Sequence, residues 1–476
     1  MAKEKSKRRK NTDNALIKYF ESNIEIENTI ENTIKRATHY SSDFKTIYET
    51  IWYLFFNLES YLSCLELRNF KAFDEVKIKL TPLTILVGNN ASGKSSIIHS
   101  LLLLKQSWES LDPAVPLVWE GRDIILPPFK ELINKKSSKK ELYFKLIFTR
   151  KGKNNKENKN NCEQLGVEFT VRQIRGRGLS VDRKTFSLYK NDKKISLNEK
   201  TFRQLFRPDR FLFKPTDPKI ILKKGRVAEF ANVLEQIKKV INDTFERIYH
   251  VYPLREPIRR ETYYSKEQLS FPGKRGERIL EYLKSNPQVY TKLKAWMEKN
   301  LCNTFNIKTK SGKIYLEIDG INAADTGFGY SQILPVLATI LGTPQNSLIL
   351  LEQPEIHLNP SLIVKLADFC CDVALSSQKF LLIETHSDHF IWRIRRRIAE
   401  DTEENLWKNT AIYFVERNPG ESFSTMKQVE ITKFGEIEDA PWPKDFLAPD
   451  VADAFNLLQA KLKRLKAQEP KDGNSN

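Results

Sequence analysis

The segment Gly88-Asn-Asn-Ala-Ser-Gly-Lys94-Ser95 closes one apolar run, Leu83–Val87, and opens another, Ile97–Leu104. Few features constrain a fold as tightly. A glycine-bracketed turn between a buried strand and a helix lets backbone N–H groups curl around phosphate oxygens, and strand, turn and helix must follow one another directly. The expected class is α/β. Gly88, Asn89, Asn90, Ala91, Ser92, Gly93, Lys94, Ser95 and Ser96 are the candidate phosphate contacts. Lys94 has the reach for β- and γ-phosphates, and the Ser95 hydroxyl is a candidate Mg²⁺ ligand.

The chain has 476 residues, enough for two or three domains. It contains no run of about 18 apolar residues, and Met1–Lys10 is basic rather than apolar. No membrane span or leader is expected. Five cysteines form no CxxC pair and Cys370-Cys371 reads as helix core, so a reducing cytoplasm is expected. Lys and Arg number 78 against 60 acids, a net +18, which suits contact with nucleic acid or an acidic partner but equally keeps a large protein soluble.

The pattern divides the chain as follows. Residues 1–61 are expected to be a helical extension with a basic tip, helical over Ala15–Glu27 and Asp43–Leu62, whose apolar patch Ile51–Phe56 packs on the body or on a partner. Residues 62–150 are the first half of the core, entered through strands at Cys64–Phe73 and Val76–Leu80. Residues 151–324 are an inserted lobe, β-type first (Val167–Val171, Phe186–Tyr189, following Leu142–Phe148), with a mobile loop at Lys151–Asn161. Residues 225–300 then read as mostly helical, with helices at Val227–Ile248 and Val289–Leu301, and a hairpin pairs Phe305–Thr309 with Ile314–Ile318. Residues 325–417 form the second half of the core, 418–466 a tail, and 467–476 a disordered end. About 230 residues without a heptad repeat separate Lys94 from the next glycine motif, which excludes a long coiled coil.

Three later segments give the loop its context. In Ser347–Pro360 an apolar strand delivers Glu352 at its end, where a Mg²⁺ ion bridging phosphates needs a carboxylate. Asn359 and Pro360 follow as helix cap and first turn. In Phe380–Asp388 a second apolar strand ends in His386, placed to bond a γ-phosphate or a water. His386 and His389 lack the companions of a metal site. In Asp325–Pro335, Gly327 and Gly329 precede a helix, with Ser331 and Gln332 in its first turn; such a helix start attracts anions. Pro335 is expected in the first turn of that helix.

In this order, the motifs resemble ABC-type ATPase heads, and more closely the AAA-labelled prokaryotic ATPases related to OLD, SMC and RecF proteins. The resemblance runs through Leu65–Phe73, Val87–Ser96, Gly327–Pro335, Leu350–Pro360 and Ile383–Arg397, covering roughly residues 62–450. Tyr252–Arg259 and Gly435–Phe446 resemble a subgroup with a C-terminal domain of unknown function. The resemblance implies an ABC-type P-loop head with a mixed sheet and flanking helices. It implies ATP and Mg²⁺ held by Lys94, Ser95 and Glu352 of one subunit and met by Gly327, Gly329, Ser331 and Gln332 of another. Either Gly329 or Ser331 aligns with the usual signature serine.

The chain departs from the family at Gln353, where ABC heads carry a second acid as general base. An amide can orient water but cannot accept its proton, so slow turnover is expected, unless Glu355 or His386 assists. Relatives of this look occur in anti-phage systems (Septu, PARIS, retron-associated), paired with nucleases. The leading expectation is a homo-oligomeric switch that regulates a partner effector, a nuclease from a neighbouring gene. No nuclease is visible in the roughly 90 residues after His386. The alternative is a RecF-like DNA-binding ATPase using Arg172–Arg177, Arg203–Lys214, Arg255–Arg260 and Arg393–Arg397, with Arg255 alternatively contacting nucleotide or structure. A transporter subunit is disfavoured by Gln353, the unusual signature and the lack of a membrane segment.

Overall fold

The computed structural model describes residues 60–437, apart from 111–114, 116, 135–136, 138–139, 152–161, 175–177, 191–192, 197–238, 377–378 and 419. The N-terminal extension up to residue 59, the Lys151–Asn161 loop beyond its first residue, the Arg203–Lys214 set and the tail beyond Ile437 lie outside the described residues.

Strands β1 (Ser60–Arg68) and β2 (Glu75–Lys79) form an antiparallel pair, and β3 (Leu83–Gly88) leads through the glycine turn into helix α1 (Lys94–Glu109). After the short helix α2 (Phe129–Leu132), the strands β4 (Glu141–Lys151), β5 (Cys162–Ile174), β6 (Gly178–Lys190) and β7 (Lys193–Ser196) continue the first sheet in the order β2-β1-β4-β5-β6-β7. Strand β8 (Ile248–Val251) follows, then β9 (Thr262–Tyr263), helices α3 (Ile279–Ser285) and α4 (Pro287–Asn300), and the small sheet of β10 (Phe305–Lys310), β11 (Lys313–Ile318) and β12 (Ile321–Asn322). The remaining elements are α5 (Phe328–Gly342), β13 (Leu348–Glu352), α6 (Pro360–Ser376), β14 (Phe380–Glu384), α7 (Asp388–Glu400), α8 (Asn405–Lys408), β15 (Thr410–Glu416) and β16 (Thr425–Val429).

The central sheet has the order β16-β15-β3-β14-β13-β8; β15, β3, β14, β13 and β8 are parallel and β16 closes one edge antiparallel. Strands β3, β13 and β14 are buried at every residue, as parallel strands covered on both faces must be. Their side chains alternate between two cores. Leu86, Leu350 and Leu382 face α1 and the first sheet, while Ile85, Ile349, Leu351, Leu381 and Ile383 face α5, α6 and α7. The architecture is the expected α/β one: a mixed sheet flanked by helices, with no long coiled coil among the described residues.

Several expectations need correction. Of the expected Val227–Ile248 helix, residues 227–238 lie outside the described residues and 239–246 are helical; its end is corrected, because Ile248 begins β8 and pairs with Leu348 of β13. Residues 248–278 are strand and irregular chain rather than helix. The Asp43–Leu62 helix cannot run to its end, since Ser60 already pairs with Arg150. Long-range pairing overrides local propensity in each case. Pro335 lies inside α5 rather than in its first turn, because the helix starts at Phe328. The sheets also ignore the division at residues 150 and 151: β4 crosses it, and β8 places part of the lobe in the central sheet.

Candidate functional site

The phosphate loop is built where β3 passes beside β15. Gly88 adopts φ 145°, and a Cβ there would lie 1.9 Å from the Val415 carbonyl oxygen. Gly93, at φ 107°, packs against Ala72. It is also the N-cap of α1, with no side-chain cap and no acid in the first turn, so the leading N–H groups and the positive end of the helix dipole remain for an anion. Lys94 is buried, and its Nζ donates to the carbonyl oxygens of Gly88 at 3.0 Å and Asn89 at 2.7 Å. Burial lowers its pKa, and the Glu384 carboxylate draws it back up.

Two carboxylates converge on this loop. Glu352 ends β13, Glu384 ends β14, and the two are direct partners in the parallel register. Both are buried, at 8% and 5% exposure. Ser95 Oγ donates to Glu384 Oε2 at 2.8 Å. Glu352 Oε1 lies 2.6 Å from Nε2 of the buried His250 on β8, whose Nδ1 has no partner among the described residues. Burial pushes Glu384 up to about 7, and the Glu352 charge adds to the shift while the Ser95 bond and Lys94 oppose it. Nearby, Lys71 Nζ donates to His99 Nδ1 at 3.0 Å; burial and the Lys71 charge push His99 down to about 4, which keeps the ring a neutral acceptor.

The residues after Glu352 turn back across the strand ends. Gln353 adopts φ 44°, and its N–H donates to the Glu384 carbonyl at 2.8 Å. Glu355 Oε1 accepts from Thr385 Oγ1 at 2.7 Å and from the His386 N–H at 2.8 Å, so this carboxylate ties the β13 exit to the β14 exit. Its other oxygen is buried without a partner among the described residues; burial raises the pKa of Glu355, and these hydrogen bonds and Arg255 pull it down. His386 is exposed, with a pKa lowered by partial burial and by Lys94. Asn359 caps α6 as expected, its Oδ1 accepting from the Leu362 N–H at 2.9 Å.

A cavity of about 840 Å³ opens over the loop, lined by Asn90, Ala91, Gly93, Lys94, Ser95 and Ser96, and by Gln353, Glu384 and His386. Gly88, Asn89, Ser92, Glu352 and Glu355 do not line it. Sequence reasoning missed Glu384, His250, Lys71, His99 and Arg417; of these all but His250 line the cavity. Glu384 carried the same signal as Glu352, an acid closing an apolar strand. His250 carried none, because β8 was hidden in a helical-looking window.

The glycine turn stands apart. None of Gly327, Gly329, Ser331 and Gln332 lines the cavity. Ser331 Oγ accepts from the Ile258 N–H at 3.1 Å. Gln332 is fully buried, its Oε1 accepting from Arg255 N–H at 3.3 Å and its Nε2 donating to the Arg255 carbonyl at 3.1 Å. Gly327 has open space around it and caps α5 without a side-chain bond, and Phe328 beside it is 44% exposed.

In the Arg255–Arg260 and Arg393–Arg397 sets, most guanidinium groups are engaged within the chain. The Arg255 guanidinium donates to the carbonyls of Gln332, Tyr252, Pro253, Gln353 and Pro354, and so is structural. Arg393 forms a bidentate pair with Asp368, and Arg397 pairs with Asp368 and Asp372, joining α7 to α6. Arg396 pairs with Glu400, and Arg260 with Asp325.

The residues fit a nucleotide with Mg²⁺. Ser95, Glu352 and Glu384 supply hard oxygen donors at the phosphate loop, and Mg²⁺ needs only one or two carboxylates when phosphates and water complete its shell. Among the described residues no group of three or more His, Cys, Asp and Glu side chains could hold a metal by itself. No helix among them is long and apolar enough to cross a membrane.

No curated protein matches the chain. Among solved structures, an SMC head bound to the C-terminal winged-helix domain of ScpA is similar at TM-score 0.41 and 12% identity, covering 78% of this chain and 98% of that one. The SMC head domain from Thermotoga maritima is similar at TM-score 0.38 and 12% identity, covering 78% and 100%. The SMC head from Pyrococcus furiosus, bound to the C-terminal domain of ScpA, gives TM-score 0.35 and 12% identity over 84% and 99%. These likenesses are loose, and the assignment rests on the family match. Residues 83–391, well over half of the chain, match the family described as "AAA domain, putative AbiEii toxin, Type IV TA system". The chain belongs to this family of AAA domains.

Proposed function

We propose that the protein is an ATP-driven switch that closes with a second copy of itself around ATP, hydrolyses it slowly, and so regulates a partner effector, a nuclease in anti-phage defence. The observation that carries the reading is the division of phosphate-binding groups. One uncapped helix start, at Gly93, faces the cavity; the other, at Gly327, does not line it. A γ-phosphate that met both would stabilise the closed pair, and hydrolysis would remove that contact.

Within one subunit the loop N–H groups and Lys94 hold phosphates, and Ser95 and Glu352 are the residues that would hold Mg²⁺. When bound, the ion neutralises charge on the phosphate oxygens. Gln353 orients water but accepts no proton, and the Glu355 carboxylate is engaged with Thr385 and the His386 backbone. Both observations support slow turnover. The DNA-binding alternative loses support from Arg255 and Arg393–Arg397, whose guanidinium groups are engaged internally. The defence role and the nuclease partner rest on the family resemblance.

Light scattering of the full chain tests the switch. ATP with Mg²⁺ is expected to convert it to a larger species that ADP does not support, and Lys94→Ala is expected to abolish the conversion. A mass that ignores nucleotide rules out closure around ATP.

A further inference from the structure

We infer that Glu384, on the strand between the phosphate loop and Glu352, is a direct ligand of the divalent cation that accompanies the nucleotide. The inference rests on the nucleotide reading above and adds a residue to its site.

Position is the first argument. Strand β14 lies between β3 and β13, so the last side chain of β14 is closer in the sheet to the phosphate loop than that of β13. Glu384 pairs with Leu86, two residues before Gly88, as well as with Glu352. Its carboxylate reaches the loop: Oε2 accepts the Ser95 hydroxyl at 2.8 Å, and the residue lines the cavity. Glu352 does not line the cavity, and its Oε1 is taken by His250 at 2.6 Å.

Charge is the second. Glu352 and Glu384 are both buried and side by side, an arrangement that costs free energy through mutual repulsion and desolvation. Lys94, the nearest cation of the loop, directs its Nζ to the carbonyls of Gly88 and Asn89 instead. Among the described residues no side-chain cation bonds Glu384. A divalent ion at the Ser95–Glu384 position neutralises both acids at once and has the oxygen donors it prefers. The Ser95 hydroxyl, whose proton already points to Glu384, keeps its lone pairs for the same ion.

Third is anchorage by Gln353, the residue after Glu352. Its backbone N–H holds the Glu384 carbonyl at 2.8 Å, so the turn that carries the amide also fixes the end of β14. Glu384 is thereby held in place beside Glu352, the two acids closing neighbouring strands.

The experiment compares the wild-type full chain with Glu384→Gln, reading ATP affinity by calorimetry in EDTA, and Mn²⁺ affinity of the ATP complex by electron paramagnetic resonance. Removing an acid beside the phosphates is expected to tighten metal-free ATP binding, while Mn²⁺ affinity falls about ten-fold or more. A merely structural residue weakens both. Glu384→Asp, which keeps the charge but withdraws it by one methylene, is expected to lose a smaller part of the Mn²⁺ affinity, and decides the matter should the Gln variant not fold. Wild-type Mn²⁺ affinity in either folded variant overturns the assignment. A wild-type chain that binds no ATP overturns the nucleotide reading itself, and the assignment with it.

Discussion

Arg255 and Gln332 clasp each other backbone to side chain: the amide of Gln332 brackets the Arg255 peptide, and Arg255 Nε donates to the Gln332 carbonyl at 3.1 Å. The clasp ties the start of α5 to the chain that follows β8. The same guanidinium reaches Gln353 and Pro354, so one buried side chain fixes both α5 and the turn after Glu352.

Arg255→Ala is therefore expected to destabilise the fold by about 3 kcal/mol or more, because it leaves several buried carbonyls without a donor. Lysine offers no planar fork and is expected to rescue little of the loss. Denaturant melts of both variants check this; a loss under about 1 kcal/mol in Arg255→Ala contradicts the clasp.

Gln353→Glu is expected to raise steady-state ATP turnover, by about ten-fold or more if a general base is what the site lacks. An unchanged rate shows that Gln353 does not limit it. A fast wild-type rate abolished by Glu355→Ala would move the base to Glu355 and end the slow-switch reading.

Gly88→Ala is expected to be among the most damaging single substitutions. The added methyl meets the Val415 carbonyl oxygen at 1.9 Å, on a backbone at φ 145° that side chains avoid. The expected cost is about 3 kcal/mol or more, with loss of ATP binding, since the strand pair β3–β15 must part to admit it. Wild-type melting of this variant would show that the strands are freer than the register implies.

Lys379 gives a pH signature. It is buried, its Nζ donates to the carbonyls of Ile340 and Leu341 at the end of α5, and burial pushes its pKa down to about 8 from 10.5, with Lys292 adding to the shift. Between those two values the unfolded chain holds more protons than the native one, so this group's contribution to stability rises with pH, by up to about 3 kcal/mol over the window. Denaturant midpoints of wild type and Lys379→Met, compared at pH 8 and pH 10, are expected to differ in slope in that sense. Parallel slopes place the lysine in water.

Much of this site was legible because its signals are local. A glycine turn between apolar runs, Glu352 at the end of one buried strand and His386 just past another all follow from runs of a few residues, and Asn359 caps α6 as its type and position imply. What was hidden depends on pairing between distant segments. His250 meets Glu352 across 102 positions of chain, and β8 gains its strand form from β13 rather than from its own sequence. Ser331 and Gln332 read as anion contacts because a polar first turn looks the same whether it faces solvent or, as here, Ile258 and Arg255.

The contact between Gly88 and Val415 also has a mechanical side. Strand β15 lies against the full length of β3, from Thr410 beside Leu83 to Val415 beside Gly88, and Arg417 just past it reaches the cavity wall. A pull on the chain beyond β15 would load a ladder of backbone hydrogen bonds in shear, with no hinge between to absorb it. Whatever grips that end of the molecule would thus feel, and be felt by, the loop that cradles the phosphates.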